Sequence, residues 1–178
     1  MTARIRCAGI ALLALLLAGL AACGPVRPVA KPKPKPKATA GWVLYRNSQV
    51  GVTLRHPRGW RPVQGYLWRV GGQGGYVQLN TLNGAGWTAQ QAAAHEASQQ
   101  LHPFGTSPKI TPISAAGESG YLIMPSKDAD QPPGPLAAEL VLPYPRPQTI
   151  DGAQYHFLIM DATASWIRQI AATLRFSQ

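Results

Sequence analysis

The chain has 178 residues, with 17 lysines and arginines against 7 acidic residues and a formal net charge of +10. Seven of the basic residues and none of the acids precede residue 42, so residues 42–178 hold 10 basic and 7 acidic side chains, a net charge of only +3. This distribution argues against nucleic acid as a partner, because the high pI does not describe a basic globular face. Both cysteines, Cys7 and Cys23, precede the folded region, which excludes disulfides and zinc–cysteine sites from it.

The N-terminal segment has the composition of an export signal. Two arginines are followed by an uncharged, mostly apolar stretch that is shorter than the roughly 20 residues of a permanent membrane span. The stretch ends in Leu20-Ala21-Ala22-Cys23, which resembles the lipobox of bacterial lipoproteins. The resemblance implies that residues 1–22 are a lipoprotein signal peptide that is removed. Cys23 would then carry a diacylglyceryl group, whose two acyl chains give stable membrane attachment. The alternatives are an ordinary signal peptide cut elsewhere and an uncleaved anchor.

Residues 23–41 are predicted to form the lipidated cysteine and a Lys/Pro-rich tether. Lysine and proline alternate over residues 31–37, which favours an extended polyproline II segment of about 3.1 Å per residue. The tether carries five basic side chains, so contact with anionic lipid or a wall polymer fits its composition. A solvated spacer between lipid and domain is the alternative interpretation.

Residues 42–178 are predicted to form one domain that begins with strands. Residues 42–46 are β-prone, and apolar side chains alternate with polar ones or glycine over residues 50–54. Residues 66–70 and 77–79 alternate in the same way on either side of a glycine-rich segment, which predicts a hairpin. A helix follows, because Thr88 and Gln91 form a capping-box pattern ahead of several alanines, and Pro103 ends it.

The second half contains denser apolar runs. Residues 110–114 and 121–124 are predicted strands around a turn at residues 117–120. Residues 140–142 and 155–160 are nearly continuous apolar runs, which are typical of strands covered on both faces. Two proline-rich loops are predicted, at residues 125–136 and 143–149. The helical spacing of apolar residues predicts a C-terminal helix over residues 162–174, with Asp161 as its cap.

This order of strands, helix, strands and helix indicates an α+β fold with a largely antiparallel β-sheet flanked by helices. Residues 45–60, YRNSQVGVTLRHPRGW, resemble the opening signature of PsbP-like domains. The shared features are an aromatic residue, an asparagine, a glycine followed by an apolar residue, then a proline and a tryptophan. The rest of the chain agrees in element order and in ending on a helix. The resemblance implies an α/β/α sandwich, and it implies a binding or assembly protein rather than an enzyme.

One set of side chains is a candidate binding surface. Residues 42–75 contain five arginines and no acid, and arginine suits phosphate and carboxylate groups because its guanidinium binds both in a bidentate way. The five are Arg46, Arg55, Arg58, Arg61 and Arg69. A shared basic face is the functional interpretation. A charged face paired with acids from the second half is the alternative.

The sequence offers no convincing metal or catalytic site. His95 and His102 are seven residues apart but lack a third ligand nearby, and His56 and His156 are interpreted as structural. Acids at 128, 130 and 139 have calcium-loop spacing, but prolines occupy the positions where that loop turns. Ser119 lacks the glycine two residues later that a nucleophile elbow requires. We therefore expect no catalytic residue, no metal and no cofactor.

The sequence predicts a lipid-anchored lipoprotein on the extracytoplasmic face of a bacterial cell membrane, with a non-catalytic role in binding or in an envelope complex. Its partner would be another envelope protein, with Trp60, Trp68 and the proline-rich loops as the contact surface. A flat, exposed apolar patch would favour this hypothesis. The alternative is a receptor for a small ligand or polyanion, which a closed apolar cavity with one or two arginines would favour. An envelope hydrolase, which needs a cleft with a paired acid and base, is the third hypothesis.

Overall fold

The computed structural model describes residues 41–99, 103–130 and 134–177. The predicted signal peptide, Cys23 and the tether up to residue 40 lie outside these residues. The described part contains two helices, α1 (Ala89–Ala97) and α2 (Ile167–Thr173). Its strands, in chain order, are β1 (Trp42–Asn47), β2 (Val52–Pro57), β3 (Arg61–Pro62), β4 (Arg69–Gly72), β5 (Gly75–Leu82), β6 (Lys109–Ala115), β7 (Glu118–Met124), β8 (Ala137–Ile150), β9 (Ala153–Thr163) and β10 (Arg175–Phe176).

The strands form two sheets in which the neighbours pair antiparallel. Seven strands make a large sheet in the order β3-β4-β5-β9-β8-β7-β6, and three make a small sheet in the order β1-β2-β10. The predicted α+β fold with a largely antiparallel sheet and helices is therefore confirmed. Within the described residues, no helix combines the length and the apolar character needed to cross a bilayer.

Apolar side chains cover the central strands of the large sheet on both faces. On one face, Ala92 and Ala93 of α1 pack with Val141 of β8 and Ile159 of β9. The other face belongs to the larger core, which contains side chains of α2 and of the small sheet. Consecutive residues of β8 and β9 are buried because their alternating side chains enter one core or the other. This confirms what the continuous apolar runs predicted.

The predicted N-terminus of α1 is confirmed in detail. The Thr88 hydroxyl accepts a hydrogen bond from the Gln91 backbone N–H, and the Gln91 side chain accepts one from the Thr88 backbone N–H. The helix ends at Ala97, before the residues that lie outside the described part. The capping box therefore fixes where α1 begins and which of its alanines face the sheet.

The prediction for the C-terminal helix is wrong over its first turn. Strand β9 continues to Thr163, because Ala162 pairs with Val77 on one side and with Ala138 on the other. Asp161 is therefore a strand residue and does not cap a helix. The helix α2 begins only at Ile167, after a turn, since sheet hydrogen bonds on both sides outweigh the helical spacing of the apolar residues.

Two predicted connections are also shifted. The segment 143–149 belongs to β8 and is not a loop, although the register slips between Pro143 and Gln148, where prolines supply no backbone N–H. The β6–β7 turn lies at Ala116 and Gly117, whose φ angles are 53° and 90°, so most of the predicted turn at 117–120 is strand. The predicted loop at 125–136 does connect β7 to β8, with residues 131–133 outside the described part.

Candidate functional site

A pocket of about 450 Å³ lies between α1 and the large sheet. Its polar lining comes from the sheet, including Asn80 of β5, Glu139 of β8 and Asp161 of β9. Phe104 and Ile159 contribute apolar wall. A volume of this size falls within the range of small-molecule sites, roughly 300–1,000 Å³.

The polar side chains of the pocket form one row across four strands. Arg69 of β4 lies opposite Gln78 of β5, Gln78 lies opposite Asp161, and Asp161 lies opposite Glu139. Residues that are directly opposite in a sheet point to the same face, so antiparallel pairing brings these side chains together. Beyond Glu139 the row becomes apolar, because the next partner is Ile123 of β7.

A chain of hydrogen bonds, all donated in the same direction, links Arg69 and Gln78 of this row to Asp161 through Asn80. Arg69 Nε donates to Gln78 Oε1 at 2.7 Å, and Gln78 Nε2 donates to Asn80 Oδ1 at 3.1 Å. Asn80 Nδ2 then donates to Asp161 Oδ2 at 2.8 Å. Asp161 therefore receives the end of a chain of donors that starts at a permanent cation.

Two aromatic rings hold the guanidinium of Arg69. Its central carbon lies 3.6 Å from the ring centroid of Tyr66 and 4.4 Å from that of Tyr76. Both distances are within the range of a cation–π interaction. Arg69 is therefore fixed at one end of the row, partly buried and already engaged by Gln78.

Two carboxyl groups face each other at the centre of the row, and burial favours the neutral form of both. Burial raises the pKa of Glu139 well above its ordinary value, and the neighbouring charges of Asp161 and Glu96 raise it further. Burial also raises the pKa of Asp161, although hydrogen bonds from Glu139 and Asn80 act in the opposite direction. The two raised pKa values favour one shared proton between the carboxyl groups, held on Glu139, as expected for two acids that cannot both be charged in one site.

One oxygen of this pair is left without a partner. Glu139 is only 3% exposed and lines the pocket, and its Oε1 atom makes no hydrogen bond to any residue that the structure describes. A buried polar atom without a partner is uncommon in a native protein and calls for an explanation, such as a ligand that is absent. Glu139 therefore brings a buried carboxyl oxygen without a partner to the lining of the pocket.

The five candidate arginines do not share one face. Arg46 and Arg55 lie exposed on the small sheet, where Arg46 and Arg175 flank Thr53 on either side. Arg69 lies in the large sheet and lines the pocket. The basic side chains on the small sheet therefore include Arg175, which is not one of the five predicted arginines.

The remaining candidates surround a buried tryptophan. Arg58 and Arg61 are exposed near Trp60, and Arg61 donates to the backbone oxygens of Arg58 and Trp60. Trp60 itself is only 2% exposed and belongs to the larger core, so it was wrongly predicted as contact surface. Trp68 is partly buried and its indole N–H donates to Gln49 Oε1.

The rings of His56 and His95 pack against aromatic side chains, whereas the buried Nδ1 atom of His156 has no hydrogen-bond partner among the described residues. The ring of His56 is buried and stacks on Trp60, and His95 lies on the exposed side of α1 with its ring 5.0 Å from that of Trp87. His102 lies outside the described residues. Among residues 41–99, 103–130 and 134–177, no three His, Cys, Asp or Glu side chains are grouped so that they could hold a metal ion.

Asp128 has a local structural role. Its carboxylate accepts hydrogen bonds from the hydroxyls of Thr106 and Ser126, and these bonds lower its pKa to about 2. The same bonds tie residues 104–107 to the segment after β7. Gly105, with a φ of 79°, permits this approach, since a Cβ there would meet Ser126 Oγ.

Sequence reasoning missed the two residues at the centre of the site. From the sequence, Asp161 is predicted to cap the C-terminal helix, and Glu139 has only the spacing of a calcium loop that prolines rule out. The signal that could have found them is a single acid inside an otherwise apolar strand, in AAELVL and in FLIMDA. A lone acid in such a run is buried, and a buried acid needs a partner or a function.

Comparison with known proteins adds nothing to this geometry. No known protein family matches the chain, and no curated protein matches it. The pocket and the sequence before residue 42 are therefore the features that indicate a function.

Proposed function

We propose that this protein is a lipid-anchored receptor for a small ligand on the extracytoplasmic face of a bacterial membrane. The observation that carries the proposal is the pocket under α1, whose lining includes Glu139 with its buried, unpartnered Oε1 atom. A preformed recess with few, well-placed polar groups and walls that are partly apolar is the usual form of a small-molecule site.

The pocket favours a receptor over a protein-docking module. Tyr66 and Leu67 are 52% and 68% exposed and follow one another in the chain, and they are the most exposed large apolar side chains that adjoin each other in the described residues. Two such side chains form a smaller apolar surface than stable protein interfaces usually bury. The pocket, in contrast, has the size and the enclosed acceptor that a small ligand requires.

A hydrolase is the second candidate, because the pocket contains two carboxyl groups that share a proton. Their arrangement fits this role poorly. A glycosidase separates its two carboxyl groups by about 5–9.5 Å to flank the scissile bond, whereas Glu139 and Asp161 are hydrogen-bonded to each other. We therefore assign binding to the pair.

The anchor and the fold family belong to the same proposal. Leu20-Ala21-Ala22-Cys23 supports lipidation at Cys23, and the Lys/Pro-rich segment supports a tether of extended chain. The placement of α1 and α2 on opposite faces of an antiparallel sheet supports a PsbP-like domain, as does the signature at residues 45–60. A domain of that kind, held at the membrane surface, would present its pocket to the solution outside the cell.

The receptor proposal is tested by thermal denaturation of the full chain in mild detergent, with a panel of amines, guanidino compounds, carboxylates, phosphates and sugars. A ligand that binds only the folded state at a hundred times its Kd adds about 2.7 kcal/mol to the free energy of unfolding. We expect one class to raise the Tm by several degrees. We expect Asn80→Phe, which fills the pocket, to abolish that shift.

Asn83→Phe is the matched control, because Asn83 is exposed and lies just beyond β5, outside the pocket lining. It should leave the ligand-induced shift unchanged. The receptor proposal is overturned if no class raises the Tm, or if both variants respond to the ligand like the wild-type protein. Turnover of a bound compound into new products would favour the hydrolase.

A further inference from the structure

We propose that the ligand of this pocket is an organic cation, with a primary ammonium or guanidinium head that donates to Glu139 Oε1 and an apolar body that lies against the wall. This inference depends on the proposed function, because it names the ligand class of the same pocket. Three observations carry it, and they concern hydrogen bonding, charge and shape.

The first observation concerns the polar side chains of the pocket and their hydrogen-bond partners. The amide groups of Gln78 and Asn80 each donate to the next member of the row, and Glu139 donates to Asp161. Among the described residues, the buried lining atom without a partner is Glu139 Oε1, and a carboxylate oxygen only accepts. A ligand that completes the site must therefore bring a donor, and ammonium and guanidinium groups are donors without any acceptor.

The second observation is the balance of charge. The pocket lining contains three acids, Glu96, Glu139 and Asp161, and one cation, Arg69. Arg69 is held between two tyrosine rings and bonded to Gln78, at the far end of the row from Glu139. A cation beside Glu139 would meet net negative charge, whereas an anion there would be repelled and would offer no donor.

The third observation is the apolar part of the wall. Phe104, Ile159 and Leu82 line the same recess. These side chains suit a hydrocarbon segment, since apolar surface gains free energy by leaving water. A free inorganic cation would leave that surface uncovered, and the described residues provide no cluster of three ligands for a metal ion. An alkyl or aryl amine fills both parts of the pocket.

Binding of a cation should be coupled to the proton on Glu139. Asp161 from β9 and Glu96 from α1 lie around its carboxyl, and β7 contributes the apolar Ile123. Arg69 from β4 and Tyr76 from β5 interact with Asp161. In the empty pocket, burial beside two acids keeps Glu139 protonated. A bound cation stabilises the ionised form, so affinity should rise with pH, by up to about tenfold per unit below the pKa of the empty site.

The test uses four probes with one four-carbon chain and different heads, namely butylammonium, butylguanidinium, butyrate and butanol. Each is titrated into the full chain in detergent micelles, and the side-chain amide signals of Asn80 and Gln78 are followed by NMR. We expect saturable shifts with the two cations, and a lower apparent Kd at about pH 8 than at about pH 6. Butyrate and butanol should leave both amide signals in place.

Glu139→Gln keeps the size of the side chain and can still donate to Asp161, but it cannot ionise. We expect it to weaken butylammonium binding about tenfold or more at about pH 8 and to remove the pH dependence. Glu118→Gln, on β7 and outside the pocket, makes the same charge change and should bind like the wild type.

Stronger shifts with butyrate or butanol than with the cations would overturn this inference and leave the receptor in place. Wild-type affinity in Glu139→Gln would also overturn it. If Glu139→Gln does not fold, the comparison of the four heads on the wild-type protein decides alone. The absence of any N80F-sensitive ligand in the broader panel would instead remove the receptor itself.

Discussion

At the residue scale, the pair of Glu139 and Asp161 is unusual for a β-sheet. Like charges directly opposite one another on neighbouring strands destabilise a sheet. Here one proton shared by the two carboxyl groups removes that repulsion, and Asn80 supplies a further donor to Asp161. An energetic cost remains, because the Oε1 atom of Glu139 is buried without a partner among the described residues. A pair with a purely structural role would not need to leave this atom unpartnered. That cost is the main reason to assign the pocket a ligand.

The shared proton makes stability depend on pH, and Glu139→Gln should weaken this dependence. The pKa of Glu139 is raised in the folded protein above its unfolded value of about 4.3, so its contribution is complete below that value. The contribution is lost as the pH rises through the folded-state pKa, by up to about 1.4 kcal/mol per unit. The free energy of unfolding, measured with urea from about pH 5 to about pH 9, should therefore fall less in Glu139→Gln than in the wild type.

Glu118→Gln controls for the loss of one acid. Its unfolding curve should follow the wild type across the same pH range, because Glu118 lies partly exposed at the start of β7. The opposite result is a parallel change of wild type and Glu139→Gln with pH. That result would mean that Glu139 is ionised to the same degree in the folded and unfolded states, and the shared proton would be wrong.

A local pattern can mark each acid as buried, but it cannot predict that the two meet. Glu139 and Asp161 meet only because β8 and β9 pair in one register, and a shift of either strand by one residue would turn its acid to the opposite core. Arg69 joins them through β5, from a different part of the chain. The sequence predicts Arg69 as a binding residue because of its charge, but it does not show which other side chains lie beside Arg69 in the pocket. Side-chain chemistry is visible in a sequence, but strand pairing decides which side chains share a pocket.

At the element scale, predictions succeeded where the determinants are local. The capping box of Thr88 and Gln91 is a contact within one turn, so the start of α1 could be predicted. The predicted loop at 143–149 is wrong because pairing of this segment with β9 outweighs its local preference. The predicted first turn of the C-terminal helix is wrong because its residues pair with β5 and β8. Prolines in β8 break the ladder only between Pro143 and Gln148, and the strand continues beyond them.

The irregular part of β8 is fixed by one hydrogen bond that joins the two sheets. The Tyr144 hydroxyl donates to the backbone oxygen of Val50 at 3.1 Å, within the larger core, and burial raises the pKa of this hydroxyl. Tyr144→Phe should lower the free energy of unfolding by about 1–2 kcal/mol, because it leaves the Val50 carbonyl buried without a donor. Urea denaturation at neutral pH measures the change.

Tyr155→Phe is the control, since Tyr155 lies half-buried on β9 and its hydroxyl makes no hydrogen bond to another described residue. It should change stability by no more than about 0.5 kcal/mol. Equal effects of the two substitutions would show that the Tyr144 hydroxyl contributes no net stability, and that packing against Phe176 alone holds this part of β8.

At the scale of the whole molecule, the excess positive charge and the pocket belong to different parts of the sequence. The segment before residue 42 carries most of the excess positive charge, whereas the pocket is lined by three acids and one arginine. Attraction to an anionic membrane surface would therefore act on the tether and on the exposed arginines of the small sheet. The pocket would remain free to attract cations. This division suits a receptor that is held at a surface by one part and binds its ligand with another.

Cys23→Ala tests the attachment on which that division depends. Without the thioether the chain would lose both acyl chains, and hydrocarbon transfer contributes about 0.8 kcal/mol per buried CH₂, far more than the basic tether can replace. In bacteria grown with an alkyne fatty acid, we expect the wild type to be labelled and to sediment with membranes, and Cys23→Ala to be unlabelled. Cys7→Ala is the matched control, because Cys7 lies within the predicted signal peptide and its loss should change neither property. Label retained in Cys23→Ala, or a mature chain that begins at a residue other than Cys23, would contradict the anchor while leaving the pocket to be judged by its ligand.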